Sequence, residues 1–154
     1  DDVAHLQSIL AGMGYDLGTY GEKNDGVDGS YGEKTEKFYM LCLDAKSTVI
    51  KLMKLSSGIP QEVRVDVRDV VDNALKYKAV SVVVAHNHPS GDVSPSVQDV
   101  ELTRAIAAAL QLIKIKLADH YIFSDFGYCS FVEDGVGGQI QQNVNNFLKD
   151  GIKY

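Results

Sequence analysis

The chain has 154 residues, 45% of them hydrophobic, and a formal net charge of −6. That length and composition give one domain with a real core and room for a small appendage. The acidic balance argues against strong nonspecific nucleic-acid binding, and no apolar run approaches the roughly 20 residues needed to span a bilayer.

Residues 3–13 read as an amphipathic helix, with Val3, Leu6, Ile9, Leu10 and Met13 at helical spacing and Gly14 as the stop. Residues 14–32 are rich in Gly, Asp and Asn and read as loop. Asp28-Gly29-Ser30-Tyr31-Gly32-Glu33-Lys34-Thr35, with Leu6-Gln7 upstream, resembles the first helix and loop of peptidoglycan-binding modules. That resemblance covers only the first 35 residues, because the chain then turns into Phe38-Tyr39-Met40-Leu41-Cys42-Leu43. A calcium-binding EF-hand loop fails on spacing: with Gly29 in the glycine position, the final ligand falls on Thr35 and not on Glu.

The apolar run 37–44 predicts a strand, Asp44-Ala45-Lys46-Ser47 a turn, and Thr48 to Leu55 a strand pairing back as a hairpin. After a loop from Ser56 to Pro60, Asp66 reads as the N-cap of a helix whose apolar face is Val67, Val70, Val71, Ala74 and Leu75. Residues 80–85 predict a buried strand, since no polar alternation survives in Val82-Val83-Val84-Ala85. A second helix runs from Ser96 to about Leu112, with Val100, Thr103, Ile106, Ala107 and Leu110 inward. Ile115 to Ser124 and Tyr128 to Val132 predict strands around an Asp125-Phe126-Gly127 turn. Residues 139–149 form a last helix with Ile140, Val144, Phe147 and Leu148 on one face and Gly151 after it. Helices alternating with buried strands give an α/β domain.

The chemistry gathers at His86-Asn87-His88-Pro89-Ser90-Gly91-Asp92, where the buried strand ends, and at Ser96 and Asp99, where the next helix begins. Residues i and i+2 share one face of a strand, so His86 and His88 can face one ion if the strand persists that far. Asp99 lies one turn into the helix, where the helix N-terminus favours its charged form. Two imidazoles and a carboxylate are the ligand set of a catalytic zinc site, which keeps a fourth position for water. A purely structural reading competes: Ser96 and Asp99 also have the spacing of a capping box. The bound water needs a general base, for which Glu33, Glu36 and Glu62 are candidates, with Glu36 preferred because it precedes the first core strand. His120 reads as a core histidine or one that orients a ligand. His5, Lys76, Lys78, Lys114 and Lys116 read as solvated, and Cys42 and Cys129 as buried free thiols of a reducing compartment.

His86-x-His88-x7-Ser96-x2-Asp99 resembles the JAMM metalloprotease motif of JAB/MPN domains, and the longer string from His86 to Asp92 resembles the RadC branch. Glu36-Lys37-Phe38 before Leu41-Cys42-Leu43-Asp44, Val65 to Val70, and Asp119-His120 followed by Tyr128-Cys129-Ser130-Phe131 carry the same resemblance, from about Glu36 to Gly135. It implies a mixed β-sheet flanked by helices in a cytidine-deaminase-like α/β architecture. It further implies Zn2+ on His86, His88 and Asp99, with Glu36 as base and Ser96 stabilising the oxyanion. The expected organisation is an N-terminal helical and loop appendage (1–35), a RadC-like JAB/MPN domain (36–135) and a C-terminal helical tail (136–154). Residues 1–35 do not resemble the helix-hairpin-helix that RadC-like proteins commonly carry. Asp134-Gly135-Val136-Gly137-Gly138 and the helix after it echo the peptidoglycan-module pattern, so the two ends are expected to pack together.

The function this implies is zinc-dependent hydrolysis of an amide, peptide or isopeptide bond in a peptide or protein substrate. The alternatives are a DNA repair or recombination protein binding nucleic acid or repair partners, and a metal-free JAB-like interaction module. A cytoplasmic location is expected, since no signal pattern is visible, and an exposed strand edge such as Thr48 to Leu55 gives a possible homodimer contact.

Overall fold

A computed structural model of the chain describes residues 37–56, 65–88, 90–124 and 127–150. Strand β1, Phe38–Leu43, is buried along its whole length. It returns through a turn in which the Asp44 carboxylate accepts the N–H groups of Lys46 and Thr48, at 2.8 and 3.0 Å, the way an Asx side chain imitates a backbone turn. The returning strand, β2, spans Val49–Ser56 and pairs antiparallel with β1. Helix α1, Val67–Lys76, starts at Asp66, whose side chain caps it by accepting from the Arg68 N–H. Strand β3 is Ser81–Asn87, helix α2 Val97–Leu112, strand β4 Lys116–Ser124, strand β5 Gly127–Ser130 and helix α3 Val136–Asp150.

The five strands form one mixed sheet in the order β2-β1-β3-β4-β5. Only β3 and β4 are parallel, joined by a crossover through α2, and the other neighbours are antiparallel. On one face Phe38, Met40, Cys42, Val82 and Val84 meet Val70 and Ala74 of α1 and Ile106 and Leu110 of α2. Further along that face, Ile122 and Cys129 meet Ala107 of α2 and Ile140 and Val144 of α3. The opposite face carries Tyr39, Leu41, Leu43, Val83, Ala85, Tyr121 and Phe123, a cluster that among the described residues draws on strands alone. With β3 buried on both faces, its run of small β-branched residues needs no polar alternation. Each fully buried Val, Leu or Phe contributes roughly 1.5–3 kcal/mol relative to exposure, so this strand is a firm base for whatever stands at its end.

The α/β architecture with a mixed sheet and flanking helices is the expected one, with differences in detail: the last helix begins at Val136, before the expected 139, and Gly127, expected in a turn, opens β5. Leu75 is 55% exposed and Phe147 63% exposed, because α1 and α3 each touch the sheet along a narrower stripe than the helical period marks out. The expected strand Tyr128 to Val132 stops at Ser130. There the buried Asp119 carboxylate accepts the Ser130 hydroxyl at 2.6 Å and the Val132 N–H at 3.1 Å, and so bends the chain into a turn. The glycines that follow have local reasons: Gly135 sits at φ +80, and a Cβ on Gly137 would lie 3.3 Å from the Phe131 carbonyl. The expected helix 3–13, the loop 14–32 and residues Glu33, Glu36 and Glu62 lie outside the described residues, as do Asp125, Phe126 and Gly151. Among the described residues no helix is long and apolar enough to cross a membrane.

Candidate metal centre

His86 is the sixth of the seven residues of β3, and its ring lies on the helix-covered face, stacked on Phe38 at 5.9 Å between centroids. His88 is one residue past the strand, yet its N–H still donates to the Phe123 carbonyl of β4 at 3.0 Å. The extended pairing therefore persists long enough for both rings to fall on one side. Their Nε2 atoms stand 2.9 Å apart. The chain then turns away through the Gly91 N–H, which donates to the His88 carbonyl at 3.0 Å, with Gly91 at φ 89.

Helix α2 brings the third group back. Ser96 is its N-cap: the Ser96 Oγ accepts the Asp99 N–H at 3.0 Å, and the Ser96 N–H donates to Asp99 Oδ2 at 2.8 Å. The cap orients the carboxylate, whose Oδ1 lies 3.2 Å from His86 Nε2 and whose Oδ2 lies 3.3 Å from His88 Nε2. Capping and convergence on the histidines are thus compatible in one side chain. Burial alone would raise the Asp99 carboxyl; His86 and His88, whenever their rings are protonated and donate from Nε2, together with the Ser96 N–H, hold it well below the usual carboxylate range.

One ligand atom from each of His86, His88 and Asp99 lies within 4.8 Å of the others. Zinc bonds of about 2.0–2.1 Å at a tetrahedral angle set two ligand atoms roughly 3.3 Å apart; the two N···O separations, 3.2 and 3.3 Å, match this, and the two nitrogens, at 2.9 Å, stand closer. The His88 Nδ1 is 2.7 Å from the main-chain oxygen of Asp92. A carbonyl only accepts, so Nδ1 carries the hydrogen, and in the neutral ring Nε2 keeps the lone pair that a metal requires. Two nitrogens and a carboxylate facing one another across a half-buried space call for a cation among them. The chemistry of these three residues fits a divalent metal.

Behind these three residues lie further polar side chains. The His86 Nδ1 is 2.8 Å from His120 Nε2, and His120 Nδ1 is 2.5 Å from the Thr103 hydroxyl. His120 is fully enclosed and stacks on Phe131 at 4.5 Å between centroids. Burial first, and then His86 beside it, hold the ring well below the usual imidazole range. On the other side of His86, Asn87 and Lys37 are tied together across β3 and β1, the Lys37 N–H donating to Asn87 Oδ1 at 2.6 Å.

His86, His88, Ser96 and Asp99 are therefore brought together at one end of β3, while Glu36 lies outside the described residues. Of the flanking groups, His120 was legible as a histidine in an apolar strand. The motif's spacing along the chain does not mark the Thr103 hydroxyl or the Asp92 carbonyl as part of the site. The signal for Thr103 was a polar residue on the inward face of a helix, four residues after Asp99 and so on the same side.

Residues 27–136 match the model of the RadC-like JAB domain family. A UPF0758 protein of Acinetobacter baumannii is 43% identical over 102 residues, covering 66% of this chain and 43% of the relative. A UPF0758 protein of Pelobacter propionicus is 39% identical over 103 residues, covering 67% of this chain and 45% of the relative. One of Porphyromonas gingivalis is 38% identical over 102 residues, covering 66% and 45%. The chain spans less than half the length of these relatives.

Proposed function

Since the chain belongs to the RadC-like JAB domain family, we propose that it is a zinc-dependent hydrolase of the JAMM type, cleaving an amide, peptide or isopeptide bond. The observation that carries this reading is the convergence of His86, His88 and Asp99, whose ligand atoms lie within 4.8 Å of one another. When bound, zinc supplies Lewis-acid polarisation and lowers the pKa of its water.

The chain's own residues do the rest. His86, His88 and Asp99 would hold the ion. Glu36 takes the proton of the attacking water and returns it to the leaving amine. In support, Glu36 precedes β1 by two residues, and Phe38 pairs with His86 across the β1–β3 ladder. The Ser96 Oγ receives the Asp99 N–H, a bond that leaves the hydroxyl hydrogen for a developing oxyanion. Two buried free thiols fit a reducing, cytoplasmic setting. Direct nucleic-acid binding draws no support from a net charge of −6.

The test is elemental analysis of the purified chain and zinc titration against a chelator, with His88→Ala as the comparison. Stoichiometric zinc that is lost in the variant supports the reading. A wild-type chain that carries no zinc and takes up none when supplied overturns it.

A further inference from the structure

His86 can donate Nε2 to a metal only if its single hydrogen is on Nδ1, and nothing in the His86 ring itself fixes that choice. The surrounding hydrogen bonds do fix it, and they can be followed from the far end. The Thr103 Oγ is 2.6 Å from the main-chain oxygen of Asp99. Two oxygens that close need a hydrogen between them, and the carbonyl has none, so the Thr103 hydroxyl hydrogen points to Asp99. The same Oγ must then accept from His120 Nδ1. His120 is enclosed by Phe131, Thr103 and His86, which favours the neutral ring. With its one hydrogen on Nδ1, His120 accepts at Nε2, and its partner there is His86 Nδ1. The His86 hydrogen is thereby held on Nδ1, and Nε2 is left bare toward His88 and Asp99.

We propose that Thr103 and His120 are positioning residues that lock His86 into the metal-donating tautomer, anchored on the main-chain carbonyl of the ligand residue Asp99. The circuit runs Asp99 carbonyl, Thr103 hydroxyl, His120 ring, His86 ring, and closes through space on the Asp99 carboxylate, 3.2 Å from His86 Nε2. Helix α2 thus fixes His86 from behind with the same residue that faces it in front. If Thr103 lost its hydroxyl, His120 would lack its acceptor and could turn its hydrogen toward His86. That would drive the His86 hydrogen onto Nε2, where it blocks the metal.

This inference rests on the metal-site reading above, and its test separates the two. Zinc affinity is measured by chelator competition on the 154-residue chain as wild type, Thr103→Val and Thr103→Ser. Long-range proton–nitrogen NMR of the metal-free wild type reads the histidine tautomers directly. The expected result is hydrogen on Nδ1 of both His86 and His120, zinc affinity roughly 10–100-fold weaker in Thr103→Val, and recovery in Thr103→Ser, which keeps the hydroxyl. Unchanged affinity in a folded Thr103→Val overturns the inference and leaves the metal site standing. Hydrogen on Nε2 of either ring in the wild type overturns it even where Thr103→Val fails to fold. A wild type that binds no zinc overturns the metal reading itself, and this inference with it.

Discussion

Asp99 is joined to His86 twice. Its Oδ1 stands 3.2 Å from His86 Nε2, and its main-chain carbonyl receives the Thr103 hydroxyl that backs the relay to the other nitrogen of the same ring. The two links use different atoms, so a substitution can cut one and spare the other. Asp99→Asn removes the charge and keeps the main chain. Zinc affinity is expected to fall by roughly a hundredfold or more, at least the upper end of what loss of an outer partner costs. The histidine tautomers in the metal-free protein stay as in wild type. Chelator competition and the NMR tautomer pattern measure the two effects separately, and a change in both would mean that the links are not independent.

Ser96 has a structural duty apart from any catalytic one. Its side chain accepts the Asp99 N–H, while its own N–H caps Asp99 Oδ2. Ser96→Ala removes the first bond and keeps the second. Loss of an N-cap costs about 1 kcal/mol, which for a chain of this size lowers Tm by roughly 2–4 °C. Thermal melts of the metal-free protein check this. Zinc affinity should hold, because the Ser96 N–H, which the substitution keeps, still holds Asp99 Oδ2.

The two thiols should be inert at ordinary pH. Burial pushes Cys42 up to about 11, and burial with the hydrogen bond to Asp134 pushes Cys129 up to about 12, from an ordinary value of 9.0. The folded state therefore holds the thiol proton more tightly than the unfolded state. This contribution to stability is fully present below pH 9.0 and is lost as pH rises through about 11 to 12. At pH 8, alkylation by iodoacetamide should be slow in the folded protein and fast in denaturant. Rapid labelling of either residue without unfolding would contradict the burial that raises them.

A strained residue stands just past the end of helix α2. Lys114 sits at φ 61, the left-handed region, with the Ile115 N–H donating to the Leu110 carbonyl at 2.9 Å. Its side chain is exposed, so a glycine there loses no packing. Lys114→Gly is expected to stabilise the protein by about 1 kcal/mol, whereas Lys114→Ala, which keeps a Cβ, should not. Denaturant melts of the two variants decide it; equal behaviour would place the strain elsewhere.

What the sequence determined by itself was local. A strand repeats every two residues and a helix opens on a capping pair, so His86, His88, Ser96 and Asp99 could be set on a strand end and a helix start from spacing alone. The buried run in β3 and the free thiols were equally legible, because burial there is written in an unbroken apolar composition. The tertiary structure decided everything that depended on which surfaces meet. Helical periodicity gives the direction of an apolar face but not the width of the contact, and so Leu75 and Phe147 are exposed on faces that looked continuous. The register of β3 beside β4 sets Val84 opposite His120 and His86 opposite Ile122. That alignment brings together residues 34 and 17 positions apart in the His86–His120 and Thr103–His120 bonds. No spacing rule reaches across a crossover connection, so the candidate site residues could be read along the chain, while the groups that hold the His86 ring in place depend on how the strands lie side by side.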